Sequence, residues 1–100
     1  MPLEVVFRDR GLYELATDKN ARSGYPQGVE KKFRLRVQQI MSAVDERDFY
    51  GLSSLRFEKL KGERSHQHSM RLNDQWRLII EFEGNAPNKR IVIVGIEDYH

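Results

Sequence analysis

The sequence predicts an α+β fold in which a short N-terminal strand and two helices pack on a small antiparallel β-sheet. Three observations lead there. A chain of 100 residues is long enough for one hydrophobic core and too short for two, so residues 1–100 form a single domain. In the first half, apolar residues recur at spacings of three and four, the period of a helix with one buried face. From Leu55 onward the period changes to two, and turn residues punctuate it.

Composition bounds the function classes. Apolar residues make up 39% and charged residues 32%, as expected of a soluble domain with a wet, highly charged surface. The chain has no cysteine, which excludes disulfides and thiolate metal sites. No apolar run approaches the ~20 residues of a membrane span. Glu4, Arg8 and Asp9 around a short apolar run are unlike a signal peptide. A cytoplasmic protein with no membrane partner is expected. The net charge is only +2, but its distribution is uneven. Lys31, Lys32, Arg34 and Arg36 form one basic cluster; Arg56, Lys59, Lys61, Arg64, Arg71 and Arg77 form another. Clustered cations are an electrostatic footprint for a polyanion, although each cluster alone is also what a solvated helix or sheet face looks like.

The elements follow in order. Leu3 to Phe7, with Val5 and Val6, reads as the first strand. Arg10 to Lys19 reads as a helix with Leu12, Leu15 and Ala16 on one face, weakened at its start by Gly11. Ser23-Gly24-Tyr25-Pro26 interrupts the pattern as a loop. Val29, Phe33, Val37, Ile40, Met41 and Val44 then make one apolar stripe on a second helix, with Lys32, Arg36, Gln39 and Ala43 off it. Asp45 to Ser54 connects to the sheet, with Phe49, Tyr50 and Leu52 expected to tuck against the helices.

Arg56 to Leu60 is an imperfect strand that ends at Gly62. His66 to Leu72 and Trp76 to Phe82 alternate well and form a hairpin. A two-residue turn at Asn73-Asp74 would set Trp76 on the wrong face. A three-residue loop, Asn73-Asp74-Gln75, pairs Leu72 with Trp76 and Met70 with Leu78, and the hydrophobic pattern selects it. That register sets Arg71 across from Arg77 on the face away from the core, where like charges repel. Glu81 lies on the same face as the expected counter-ion, with a bound phosphate as the functional alternative. Gly84 to Asn88, with Pro87, is a turn. Arg90 to Ile96 is apolar on both parities, so it should be an interior strand, and nothing in its pattern fixes its register. Running antiparallel to Trp76–Phe82, it returns the chain end to Trp76 and Arg77.

Three groups of residues carry possible chemistry. Lys61, Arg64, Arg71 and Arg77 offer cations for phosphate, Arg as a planar donor fork and Lys as a mobile point charge. Glu58, Asp98 and His100 are acid–base candidates, and histidine titrates near neutrality. Tyr99 offers a flat face for stacking an unpaired base. Lys59 and Gln75 lie beside them, and Lys31, Lys32, Arg34 and Arg36 are candidates for wider RNA contacts. Together these are the parts of a ribonuclease. A base takes the 2′-hydroxyl proton, cations hold the phosphate, and an acid protonates the leaving 5′-oxygen. No cofactor is expected and no metal-ligand spacing competes: His66 and His68 share one strand face without an evident third ligand. His68 also shares the parity of Met70 and Leu72, which favours packing.

The run RFEKLKGERSHQHSMRLNDQWRL, from Arg56 to Leu78, followed by an apolar strand ending in EDYH, resembles the HigB group of RelE-superfamily toxins, the plasmid maintenance killer proteins. The LKG, SMRLNDQWR and DYH blocks are each weak and together quite specific. The resemblance covers most of the chain and implies a RelE-like fold. It implies an endoribonuclease, an mRNA interferase, that cuts messenger RNA in the ribosomal A site without metal. It implies two partners, the 70S ribosome with its mRNA and a HigA-like helix-turn-helix antitoxin, through which alone the toxin meets operator DNA. Carried onto this chain, it makes Lys61 and Arg77 the phosphate-stabilising residues and Asp98, Tyr99 and His100 the active edge. Many relatives have a histidine where this chain has Glu58, which implies weak or moderate activity. A same-fold protein without nuclease activity, similar to the gyrase-poisoning ParE toxins, is the alternative. So is a catalytically degenerate antitoxin-binding protein. ParE-type proteins generally lack the acid–base cluster at the chain end, so Asp98-Tyr99-His100 favours the nuclease.

Overall fold

A computed structural model describes residues 4–21, 24–44, 46–84 and 89–98. The chain runs β1 (Glu4–Phe7), α1 (Arg10–Thr17), α2 (Gln27–Ser42), α3 (Arg47–Tyr50), β2 (Glu58–Lys59), β3 (Gln67–Arg71), β4 (Trp76–Glu83) and β5 (Arg90–Asp98). The strands form one sheet in the order β1-β5-β4-β3-β2. Every pairing is antiparallel except that of β1 with β5, so the N-terminal strand adds a parallel edge to the expected antiparallel sheet.

Local chemistry explains the helices. Asp9 caps α1 by accepting a hydrogen bond from the Leu12 backbone N–H at 2.9 Å, which satisfies one of the free donors of the first turn. At the other end Arg34 of α2 donates to the carbonyls of Leu15, Asp18 and Ala21, a cation placed where the helix dipole favours one. On α2 the stripe Val29, Phe33, Val37 and Ile40 is fully buried. Met41 and Val44 leave it, being 48% and 60% exposed, while Ala43 and Arg36 are buried instead. The helix ends at Ser42 and Ala43 is extended, so helical phase no longer governs Val44. In the connection Phe49 is buried as expected, but Tyr50 and Leu52 stay exposed. Tyr50 only leans its ring against the Phe57 ring, with centroids 4.8 Å apart.

The strand expected over 56–60 is reduced to Glu58–Lys59, because Arg56 takes a left-handed conformation (φ +46°) that breaks extended structure. The β3–β4 hairpin has the register the apolar pattern selects, Met70 against Leu78 and Arg71 against Arg77. The Asn73 side-chain oxygen accepts from the N–H groups of Gln75 and Trp76, both at 2.8 Å, and so holds the three-residue loop.

Strand β5 lies between β1 and β4. Ile79 pairs with Gly95 but Ile80 pairs with Ile93, so Val94 is an extra, bulged residue. The bulge explains apolar residues on both parities. Ile91 and Ile93 before it and Ile96 after it all belong to the helix-side core, which also takes Leu12, Leu15, Met70, Leu78 and Ile80. Val92 and Ile79 are buried outside that cluster, on the opposite parity.

Candidate active site

Strand alternation sorts the side chains into two faces. His68 and Met70 of β3, Leu72 just after it, and Leu78 and Ile80 of β4 point toward the helices. Gln67, Ser69, Arg71, Arg77, Ile79 and Glu81 therefore point to the other, open face. Cross-strand pairing aligns Glu58, Ser69, Ile79 and Gly95 in one row and Arg71, Arg77 and Glu97 in the next.

Arg77 is the centre of this face. Its side chain is only 7% exposed, and a charge so deeply placed must be paired and hydrogen-bonded. Its Nη2 donates to Glu58 Oε1 at 2.5 Å, to Ser69 Oγ at 3.1 Å and to the Arg56 carbonyl at 3.4 Å. The Glu58 carboxylate is half exposed, so one side of the pair faces the interior and the other faces solvent. Arg71, the like charge opposite, forms an ion pair with Asp74 in the hairpin loop. The expected counter-ion Glu81 serves neither arginine. It accepts from Arg8 and Gln67, both at 2.8 Å, and lies 3.5 Å from His66 Nε2. The Gln67 hydrogen bond, with the help of Arg8, holds its carboxyl below the usual range.

Arg64 crosses from the β2–β3 loop to Glu97 on β5 through two bonds of 2.8 and 2.6 Å, and its Nε donates to Gln67. Asp98, across from Trp76, accepts from Gln75 Nε2 at 3.0 Å. These residues surround a cleft of about 230 Å³ lined by Leu60, Arg64, Ser69, Arg77, Ile79, Glu97 and Asp98. A larger depression, about 640 Å³, lies at the other edge of the sheet beside β1, Tyr13 and Met41, and none of the candidate site residues lines it.

The fold thus brings Glu58, Arg64, Arg71 and Arg77 to one face; Asp98, at the end of β5, has the parity of Trp76 and Ile96 but borders the same cleft, with Gln75 at its margin. Lys61 is exposed at the start of the short turn Gly62–Arg64, and Lys59 is exposed on β2 opposite His68. Lys31 and Lys32 are exposed on α2, in the helical layer and away from the cleft. Arg34 and Arg36 act as internal fasteners. Arg34 binds the end of α1 as described; Arg36 is buried and donates to the Arg71 carbonyl at 2.8 Å and to Gln39 at 3.0 Å. Burial, with Arg71 nearby, lowers the affinity of Arg36 for its proton. Tyr99 and His100 lie outside the described residues.

Ser69 and Glu97 are the site residues that sequence reasoning missed. Ser69 shares the parity of Arg71, and that was its available signal. His68 packs face to face on Phe57, with centroids 4.9 Å apart, and edge-on to Phe82. Burial holds its imidazole below the usual pKa. Among the described residues no three His, Asp or Glu are grouped to hold a metal ion, and no helix is long and apolar enough to cross a membrane.

Comparison with known proteins agrees with this architecture. No curated protein matches the chain significantly in sequence. A YoeB/ParE toxin from Agrobacterium tumefaciens shares its fold, with a TM-score of 0.60 at 14% identity, over 98% of this chain and 100% of that one. The YoeB dimer from Staphylococcus aureus gives a TM-score of 0.52 at 22% identity, over 100% of this chain and 99% of that one. The family model for the RelE-like toxin of the HigB type II toxin–antitoxin system matches residues 5–100. A toxin of this kind has an antitoxin as its partner. The chain belongs to the HigB-like toxins, RelE-like toxins of type II toxin–antitoxin systems.

Proposed function

We propose that the protein is a ribosome-dependent mRNA interferase that cleaves messenger RNA in the A site and acts in the cytoplasm. The observation that carries the reading is Arg77. A guanidinium lies at the floor of an open cleft, in contact with the Glu58 carboxylate, and Asp98 lines the same cleft. Such a site can bind a phosphodiester and take a proton beside it.

In the proposed reaction Glu58 accepts the 2′-hydroxyl proton as the 2′-oxygen attacks phosphorus. Arg77, with Lys61, stabilises the negative charge that grows on the phosphoryl oxygens. The bond to the 5′-oxygen breaks, and the chain end, with His100 as the leading donor, protonates the departing oxygen. The products are a 2′,3′-cyclic phosphate and a 5′-hydroxyl. Tyr99 stacks on a base, and Arg71 holds a flanking phosphate; Lys59, opposite His68, has the parity of the helix side. These side chains supply each proton and charge the cleavage needs, so the route calls for no metal. A HigA-like helix-turn-helix antitoxin is the proposed partner, and it alone meets operator DNA.

Inducible expression with mapping of messenger RNA ends tests the reading. Growth arrest with cuts confined to translated messages is expected. Arg77→Ala should lower cleavage by about 10²–10³-fold, the usual loss of a transition-state donor. His100→Ala should lower it by about 10²–10⁴-fold. DNA-damage signalling with intact messages would favour a gyrase poison. Absence of toxicity would favour a protein that only binds its antitoxin.

A further inference from the structure

The loop between β2 and β3 folds over the open face, and Arg64 within it reaches Glu97 on β5. The contact is bidentate, Nη1 to Oε1 at 2.8 Å and Nη2 to Oε2 at 2.6 Å. Both side chains remain close to half exposed, at 46% and 45%. An ion pair so open to water is screened and adds little to stability. Its position is more informative than its strength. The pair stands on the rim of the cleft that Arg77 also lines, over an apolar part formed by Leu60 and Ile79.

We propose that the Arg64–Glu97 pair is a base-reading element and that its ligand is a guanine of single-stranded RNA. The proposal rests on the reading of this face as an RNA-cleaving one and adds the identity of a base beside the scissile phosphate. Glu97 accepts two parallel N–H bonds, and the Watson–Crick edge of guanine offers two, N1–H and N2–H. Arg64 donates two parallel bonds, and guanine O6 and N7 accept them in the commonest specific arginine–base contact. The two edges adjoin on one purine, so a guanine entering between the partners gives each of them two bonds in place of the two it gives up. Adenine, cytosine and uracil each present at most one N–H-bearing position on the Watson–Crick edge, flanked by acceptors, and cannot satisfy a carboxylate twice. Leu60 and Ile79 supply apolar contact for the ring faces, and Arg77 in the same cleft takes the adjoining phosphate. Single-stranded bases are read by such edge contacts once they are unstacked.

An NMR titration of the full chain with 5′-GMP, 5′-AMP, 5′-CMP and 5′-UMP tests this, repeated with Glu97→Gln. GMP is expected to shift the amides of Leu60, Ile79 and Glu97 and to bind about tenfold or more tightly than the others, the discrimination of one good bidentate contact. Glu97→Gln replaces one acceptor by a donor and should erase most of that preference while leaving thermal unfolding close to wild type. Equal binding of all four nucleotides, no binding, or a GMP preference that survives Glu97→Gln overturns the proposal. So does a loss of stability in the variant with no base preference in the wild type, which would make the pair a strut for the loop. The titration reads binding without cleavage. A protein that selects guanine yet leaves messages intact therefore contradicts the nuclease alone.

Discussion

Arg77 shows how one residue joins folding to the proposed function. Its backbone position follows from β4 alternation, yet its state depends on Glu58, which a separate strand supplies. Removing that carboxylate strips a buried guanidinium of a charged partner. Glu58→Ala should therefore destabilise the protein by about 1–3 kcal/mol in denaturant unfolding, and Glu58→Gln by less, because an amide oxygen still accepts. A neutral Glu58→Ala would contradict the pairing. His68 provides a second test. Burial lowers its pKa from 6.5, so the unfolded chain binds this proton more readily than the folded one. Stability should accordingly fall as the pH drops below about 6.5, and His68→Leu should flatten the curve there. The Glu81 contribution has its own window. Its lowered carboxyl pKa makes it a contribution lost only at more acid pH, as the pH falls through the folded value.

Among the elements, the β3–β4 hairpin was legible because only one register buries Met70, Leu72, Trp76 and Leu78 together. The chemistry of its loop explains why that register holds. Asn73→Ala removes two side-chain bonds to the Gln75 and Trp76 N–H groups and should cost about 1 kcal/mol, measured as a lowered denaturation midpoint. Strand β5 was legible as an interior strand and illegible in register, since its bulge at Val94 changes parity between Ile93 and Ile96. The parallel pairing of β1 joins the two ends of the chain, and no local pattern encodes such a contact. The basic cluster on α2 shows the same limit. Lys31 and Lys32 are exposed on α2, whereas Arg34 and Arg36 point their forks at carbonyls of α1 and β3. Charge alone did not separate those two uses. Nor did proximity along the face identify the partners of Arg71 and Arg77, which came from a loop and from the edge strand.

At the scale of the whole molecule, the helices cover one side of the sheet and leave the other side to the charged residues. This division sets Arg77 and its partner Glu58 on the side away from the helices, and the proposed RNA-cleaving role rests on that arrangement. Membership among the RelE-like toxins supplies the antitoxin partner and the fold; the proposed chemistry rests on Glu58, Arg77 and Asp98 in this chain. The most direct measurement of the central claim is a cleavage assay with purified protein on one defined message, with and without ribosomes stalled on it. The account predicts a cut within the A-site codon only when ribosomes are present, with the signal lost in Arg77→Ala. The same cut on naked RNA, or no cut by the wild type on programmed ribosomes, would contradict it.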